Sequence, residues 1–131
     1  MHESKTHTSA CVLLVDDNSP LRSGLKELLT LKGYRTMEAP DAEFALNLLK
    51  QFRNEVHVLV TDIVLPGMNG FELAKKVRSL YPRIGVIHIS AYGCAETVDA
   101  RCGEDAVLRK PITTSVLVEA VEGTLRKDPG K

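Results

Sequence analysis

The chain of 131 residues has no excess of either charge and few cysteines. Its 17 basic and 17 acidic side chains give a formal net charge of zero, which argues against direct binding of nucleic acid through a basic surface. Cys11, Cys94 and Cys102 form neither a C-x-x-C pair nor an even set, so we expect reduced thiols without a zinc or redox role. Cysteine usage of this kind favours a cytoplasmic protein.

The sequence also lacks a segment suited to a membrane. Residues 1–10 are polar and contain no apolar stretch of the kind found in signal peptides, so we predict a disordered tail over residues 1–9. An apolar content of 44% and a charged content of 26% are average for a globular protein, and this length suffices for one domain with its own core. We therefore predict one domain over residues 10–127 and a polar tail over residues 128–131.

Apolar segments typical of strands alternate along the chain with segments typical of helices. The predicted strands, covered on both faces, are residues 11–15, 34–39, 56–61, 85–90 and 106–109. Capping signals such as Ser19-Pro20 and Asp41 begin the intervening helices, and apolar residues recur there at helical spacing. Between residues 90 and 106 the helical pattern is weak, so the fourth helix is predicted to be short or irregular, within residues 94–101.

This alternation indicates an α/β fold with a doubly wound, five-stranded parallel sheet and helices on both faces. In such sheets, ligands bind beyond the carboxyl ends of the strands, near the point where the strand order reverses. The polar residues predicted at those ends are Asp16, Asp17, Asp62, Ser90 and Lys110. We expect a functional site at this edge.

Three carboxylates at one edge repel each other, since two unit charges about 4 Å apart cost roughly 4 kcal/mol at an effective dielectric constant near 20. Mg²⁺, with Mn²⁺ as an alternative, suits such oxygen ligands, and Lys110 adds a fixed positive charge. Together these charges would neutralise a phosphoryl group under attack by a carboxylate. Asp62, on the central strand, is the predicted nucleophile, with Asp16 and Asp17 holding the metal and Ser90 donating to a phosphoryl oxygen.

Four motifs occur in order at the predicted strand ends: Val-Asp16-Asp17, Thr-Asp62-Ile-Val-Leu-Pro66-Gly-Met-Asn-Gly70, Ile-Ser90-Ala91 and Arg-Lys110-Pro111. Over about residues 10 to 127 the chain resembles response-regulator receiver domains. The resemblance implies the flavodoxin-like, receiver type of the fold and a place in a two-component phosphorelay. It further implies that a sensor histidine kinase or histidine phosphotransfer protein phosphorylates Asp62, and that a phosphorylation-dependent conformational change signals to a downstream protein.

The resemblance also implies roles for individual residues. Those matching the metal ligands of the family are Asp17, Asp62, Val64 through its backbone carbonyl, and Asp16, partly through water. Ser90 and Lys110 match the hydroxyl and lysine that bind the phosphoryl group, and Ala91 matches the small residue that leaves it room.

The chain departs from the receiver pattern on the side that most receivers use for output. Receivers usually carry an aromatic residue three positions before the lysine, where this chain has Val107, and the segment between Ser90 and Lys110 is slightly shortened. A valine cannot act as an aromatic rotamer switch. We hypothesise that output depends on ordering of residues 92–103, or on a different face.

Three other functions are alternatives to a phosphorylated receiver. A degenerate receiver that docks without phosphorylation is compatible with Val107, although every pocket residue is retained. A Mg²⁺-dependent phosphohydrolase would need a second carboxylate where Val64 stands, and a nucleotide or flavin binder would need a glycine-rich loop in place of Asp16-Asp17. We expect no enzyme activity beyond self-catalysed phosphoryl transfer and slow autodephosphorylation.

His88, inside the predicted fourth strand, is interpreted as a satisfied buried histidine without a role.

Overall fold

A computed structural model describes residues 10–91 and 105–126. In chain order its elements are β1 (Cys11–Val15), α1 (Ser19–Leu31), β2 (Arg35–Ala39), α2 (Ala42–Phe52), β3 (Val58–Asp62), α3 (Gly70–Leu80), β4 (Gly85–Ser90), β5 (Ala106–Arg109) and α4 (Thr114–Arg126). The predicted tails and the predicted short helix within residues 94–101 lie outside the described residues. Among the helices of these two ranges, none has the length and apolar character needed to cross a membrane.

The five strands form one parallel sheet in the order β2-β1-β3-β4-β5, which confirms the predicted doubly wound architecture. From β1 the chain passes outward to β2 and then returns to the other side of β1 to form β3. The strand order therefore reverses between β1 and β3, whose last paired residues include Val15 opposite Thr61. The carboxyl ends of these two strands flank the crevice in which this kind of sheet binds ligands.

Helices cover both faces of the sheet because alternate strand residues point to opposite sides. Leu13 and Leu59 belong to the core that packs against α2 and α3, whereas Val12 and Val60 belong to the core shared with α1 and α4. Every residue of β1 and β3 is buried. The apolar strand interiors thus leave the strand ends as the place where polar side chains meet.

Side-chain caps fix where the helices begin. Asp41 accepts a hydrogen bond from the Phe44 N–H at 2.8 Å, as its predicted capping role requires. At the start of α1, Asn18 caps the helix and accepts from the Leu21 N–H at 3.0 Å. Asn18 directly follows the acidic pair after β1, so the acidic loop and the start of α1 are held together.

Candidate functional site

Three carboxylates meet at the carboxyl end of the sheet. Asp16 and Asp17 follow β1, Asp62 ends β3, and one carboxylate oxygen from each lies within 4.8 Å of the others. Asp16 and Asp62 are buried and Asp17 is exposed, so this acidic cluster opens to solvent on the Asp17 side. The structure brings together the three acidic residues that the sequence predicted.

Lys110 follows β5 and reaches past the end of β4 into the acidic cluster. Its Nζ lies 3.0 Å from Oδ2 of Asp62 and 3.5 Å from Oδ2 of Asp16. Its backbone N–H donates to the Ser90 carbonyl at 2.9 Å, which ties the lysine to the end of β4. This ammonium group therefore contacts two of the three carboxylates, and the acidic cluster keeps an excess of negative charge.

This charge distribution shifts two pKa values. Burial raises the pKa of Asp16, and the charges of Asp62 and Asp17 act in the same direction, against the hydrogen bond from Asn18 and the charge of Lys110. Burial would lower the pKa of Lys110, but its hydrogen bond to Asp62 and the two neighbouring carboxylate charges outweigh burial and raise it. Lys110 is therefore held in its charged form, whereas the charge on Asp16 is disfavoured.

The donor set of the acidic cluster fits a small, hard cation. Oδ2 of Asp16 is buried and has no hydrogen-bond partner among the described residues. Within the described ranges, the cluster offers carboxylate oxygens without histidine or cysteine ligands, which suits Mg²⁺ and does not suit Zn²⁺. A divalent cation would also remove the excess negative charge that Lys110 leaves.

Asp62 is fixed by its neighbours in the chain. The Val64 N–H donates to Oδ1 of Asp62 at 3.1 Å, and the hydroxyl of Thr61 donates to the Asp62 carbonyl at 2.9 Å. Gly70 begins α3 so close to β3 that a Cβ at this position would overlap the Asp62 carbonyl oxygen. The glycine that ends the motif after Asp62 thus permits the close approach of α3, a reason that the sequence pattern did not supply.

The residues predicted to have roles in output lie at different distances from the strand ends. Ser90 is buried at the end of β4, next to the end of β3, where Asp62 pairs with Ile89. Ala91 follows and is exposed. Val107 is the second residue of β5 and pairs with His88, so it does not lie at the acidic edge. Residues 92–103, invoked in the hypothesis on output, lie outside the described residues.

Arg22 contacts the acidic loop, and no motif pointed to it. Its guanidinium donates to the backbone carbonyl of Asp16 and pairs with Glu38 of β2 at 3.0 Å. Lys26, one turn further along α1, pairs with the same glutamate at 3.4 Å. The sequence offered one indication that Arg22 has a role: it lies in the first turn of α1, where the helix dipole disfavours a positive charge.

His88 also belongs to a network that the sequence did not reveal. It is fully buried in β4, and its Nε2 lies 3.0 Å from Oδ2 of Asp105, which Arg78 of α3 also contacts. Its Nδ1 has no hydrogen-bond partner within the described ranges. The interpretation of His88 as a satisfied buried histidine is therefore confirmed for Nε2, whereas the part of the chain that the structure describes offers Nδ1 no partner.

The sequence profile of the family described as "Response regulator receiver domain" matches residues 12–122. The chain belongs to this family. The receiver domain is 36% identical over 123 residues to the sensor kinase CckA of Brucella abortus, and the match covers 91% of the chain and 13% of CckA. It is 35% identical over 115 residues to the response regulator protein FleR of Pseudomonas aeruginosa, covering 86% of the chain and 24% of FleR.

Solved structures agree with this assignment. A chain from the CheX-CheY-BeF3-Mg+2 complex of Borrelia burgdorferi matches with a TM-score of 0.83 and 25% identity, covering 90% of each chain. The receiver domain thus has the flavodoxin-like fold of CheY-like proteins and takes part in two-component signal transduction, in which receivers generally signal and partner with sensor histidine kinases. Its acidic pocket is compatible with Mg²⁺ and an aspartyl phosphate. The chain spans less than a quarter of CckA and FleR, the two curated relatives named above.

Proposed function

We propose that Asp62 is the phosphoacceptor of this receiver domain. The observation that carries this proposal is the ammonium group of Lys110, which lies 3.0 Å from Oδ2 of Asp62 and 3.5 Å from Oδ2 of Asp16. An oxygen of Asp62 bonds to phosphorus as the P–N bond of a phosphohistidine breaks and the imidazole leaves. Positive charge beside the attacking carboxylate stabilises the phosphoryl oxygens during this transfer.

The acidic cluster would hold Mg²⁺, with Mn²⁺ as an alternative. The proposed ligands are the carboxylates of Asp17 and Asp62, the backbone carbonyl of Val64 and, partly through water, Asp16. When bound, the ion neutralises charge on the phosphoryl oxygens. The hydrogen bond from the Val64 N–H to Asp62 supports this ligand set, because it holds the loop after β3 against the nucleophile.

Lys110 and Ser90 would bind the transferred phosphoryl group. Lys110 is kept charged by its carboxylate neighbours, which raise its pKa, and it is anchored through its backbone to Ser90. Ser90 donates a hydrogen bond to a phosphoryl oxygen, and Ala91 leaves the group room. We assign the conformational switch to Ser90, Ala91 and the strand carrying Val107, with output through residues 92–103 or another face, since Val107 lacks an aromatic ring.

The proposed phosphoryl donor is a sensor histidine kinase or a histidine phosphotransfer protein in the cytoplasm, and the proposed target of the signal is a downstream protein. The match to the sensor kinase CckA supports the link to a kinase. A formal charge of zero supports signalling through protein contacts, without direct binding of nucleic acid or membrane. We place the receiver domain at residues 10–127, between the two tails, and assign it no enzyme activity beyond self-phosphorylation and slow autodephosphorylation.

Acetyl phosphate labelling tests the phosphoacceptor. The unmodified protein, incubated with acetyl phosphate and Mg²⁺, is expected to gain the mass of one phosphoryl group, which hydroxylamine removes. Asp62→Asn should gain none, whereas the matched control Asp41→Asn, altered at the cap of α2, should label normally. Equal labelling of Asp62→Asn, or labelling that survives chelation of Mg²⁺, would contradict the proposal. A stable protein that never labels would favour a phosphorylation-independent docking module.

A further inference from the structure

We propose that Arg22 is a positioning residue for the cation site of the acidic cluster, an inference that rests on the function proposed above. Among the described residues, the partners of its guanidinium are the backbone carbonyl of Asp16 and the carboxylate of Glu38. Arg22 therefore acts on the cluster through the main chain. Its effect is to fix the peptide that joins Asp16 to Asp17.

The hydrogen bonds of Asp16 show why this peptide matters. Its N–H donates to the Ala39 carbonyl at 3.2 Å, and its Oδ1 accepts from the Asn18 N–H at 2.8 Å. Its carbonyl oxygen accepts from Arg22. Because the peptide unit is planar, the direction of this carbonyl sets the position from which Asp17 leaves the main chain. Arg22 thereby directs the exposed carboxylate of Asp17 toward Asp62.

Arg22 is itself held in place for this task. Glu38 directly precedes Ala39, so the ion pair and the Asp16–Ala39 hydrogen bond lie side by side at the end of β2. The planar guanidinium can donate to two acceptors at once in fixed directions, which a lysine ammonium does less well. The side chain of Arg22 is 15% exposed, whereas that of Lys26, whose partner among the described residues is Glu38, is 46% exposed.

The position of Arg22 is unfavourable in two respects. A positive charge in the first turn of α1 opposes the helix dipole, and a positive charge near a cation site repels the cation. A residue whose charge is locally unfavourable in this way is expected where a functional site requires that residue. The two possible effects of Arg22 on the site have opposite signs: repulsion would weaken cation binding, and positioning would strengthen it.

Calorimetric titration with Mg²⁺ separates the two effects. Arg22→Met keeps the aliphatic length and removes both the donor and the charge. We expect its dissociation constant for Mg²⁺ to rise roughly tenfold or more, in line with the loss of a charge-assisted hydrogen bond. Arg22→Lys, which can still donate to the Asp16 carbonyl, should recover part of the affinity. Lys26→Met removes a neighbouring cation that shares Glu38 but leaves the Asp16 carbonyl bonded, so its affinity should stay near that of the unmodified protein.

Tighter binding of Mg²⁺ by Arg22→Met would overturn the inference, because the loss of charge repulsion alone gives that result, and equal binding would overturn it as well, because positioning by Arg22 requires a loss of affinity. Urea unfolding in EDTA is measured in parallel, and a variant that loses stability without losing affinity would show a merely structural role. If Arg22→Met does not fold, Arg22→Lys is compared with Lys26→Met. Positioning by Arg22 requires that Arg22→Lys bind Mg²⁺ more weakly than Lys26→Met does. Absence of Mg²⁺ binding by the unmodified protein would instead contradict the proposed function itself.

Discussion

At the scale of single residues, Asp16 is the point where the needs of the site oppose the stability of the fold. Burial raises its pKa, and so do the charges of Asp62 and Asp17, so the folded protein favours the neutral carboxyl. Because the pKa of Asp16 is higher in the folded state than in the unfolded chain, Asp16 contributes to stability at pH values below the unfolded-state pKa. This contribution is lost as the pH rises through the folded-state pKa. Near neutral pH and without a cation, the charged Asp16 is therefore destabilising.

We accordingly predict that Asp16→Asn stabilises the cation-free protein near neutral pH, by on the order of 1 kcal/mol. The asparagine keeps an oxygen that can accept from the Asn18 N–H, so the loop retains this hydrogen bond. Urea unfolding in EDTA measures the effect. The difference from the unmodified protein should shrink as the pH falls through the raised folded-state pKa of Asp16, and it should vanish well below about pH 4, where Asp16 is neutral in both states. A less stable variant near neutral pH would contradict the prediction.

The residues of the acidic cluster were predictable from the sequence for a geometric reason. Asp16, Asp62 and Lys110 each follow or end an apolar run, and parallel strands bring such ends to one edge of the sheet. The unfavourable position of Arg22 in the first turn of α1 could be read from the sequence, but its contact with Asp16 could not, because the contact depends on how far α1 is rotated about its axis. The pairing of His88 with Asp105 depends on the register of β4 and β5, which local patterns do not encode.

At the scale of elements, the order of strands and helices followed from apolar runs and caps, but some strand ends were displaced by one or two residues. Residues 56–61 were predicted for the third strand, whereas β3 is Val58–Asp62. Hydrophobicity places Val56 in the run, but pairing with β1 begins where Val58 meets Val12. Asp62 is consequently the last residue of the strand itself, and its main chain is held in the sheet.

The packing of α3 against β3 gives a prediction with an internal control. Gly70→Ala would place a Cβ against the Asp62 carbonyl, so we expect a loss of about 1–3 kcal/mol through overpacking, or a displaced α3. A Cβ at Gly24 in α1 would meet no atom of the described residues within 4 Å, so Gly24→Ala should stabilise the protein by about 0.5–1 kcal/mol. Urea unfolding of both variants checks the pair. Equal effects of the two substitutions would refute the close approach at Gly70.

At the scale of the whole molecule, one sheet supports two apolar cores, and the strands are common to both. Within β3, Leu59 faces the core against α2 and α3, and its neighbour Val60 faces the core against α1 and α4. The helices on one face cannot dissociate from the sheet without exposing strands against which the helices on the other face also pack. We therefore expect the described part of the domain to unfold as one cooperative unit.

This cooperativity determines how a cation at the strand ends affects the protein. Since Mg²⁺ is expected to bind the folded state, it should raise the free energy of unfolding by about 2.7 kcal/mol at one hundred times its dissociation constant. Native-state hydrogen exchange of the Leu59 and Val60 amides, with Mg²⁺ and with EDTA, measures this rise. Both amides should gain equally, and Asp17→Asn should remove the gain. If only one of the two amides gained protection, the cation would be stabilising a segment that opens locally. A global unfolding transition shared by both cores exposes adjacent residues of one strand together and cannot protect them unequally.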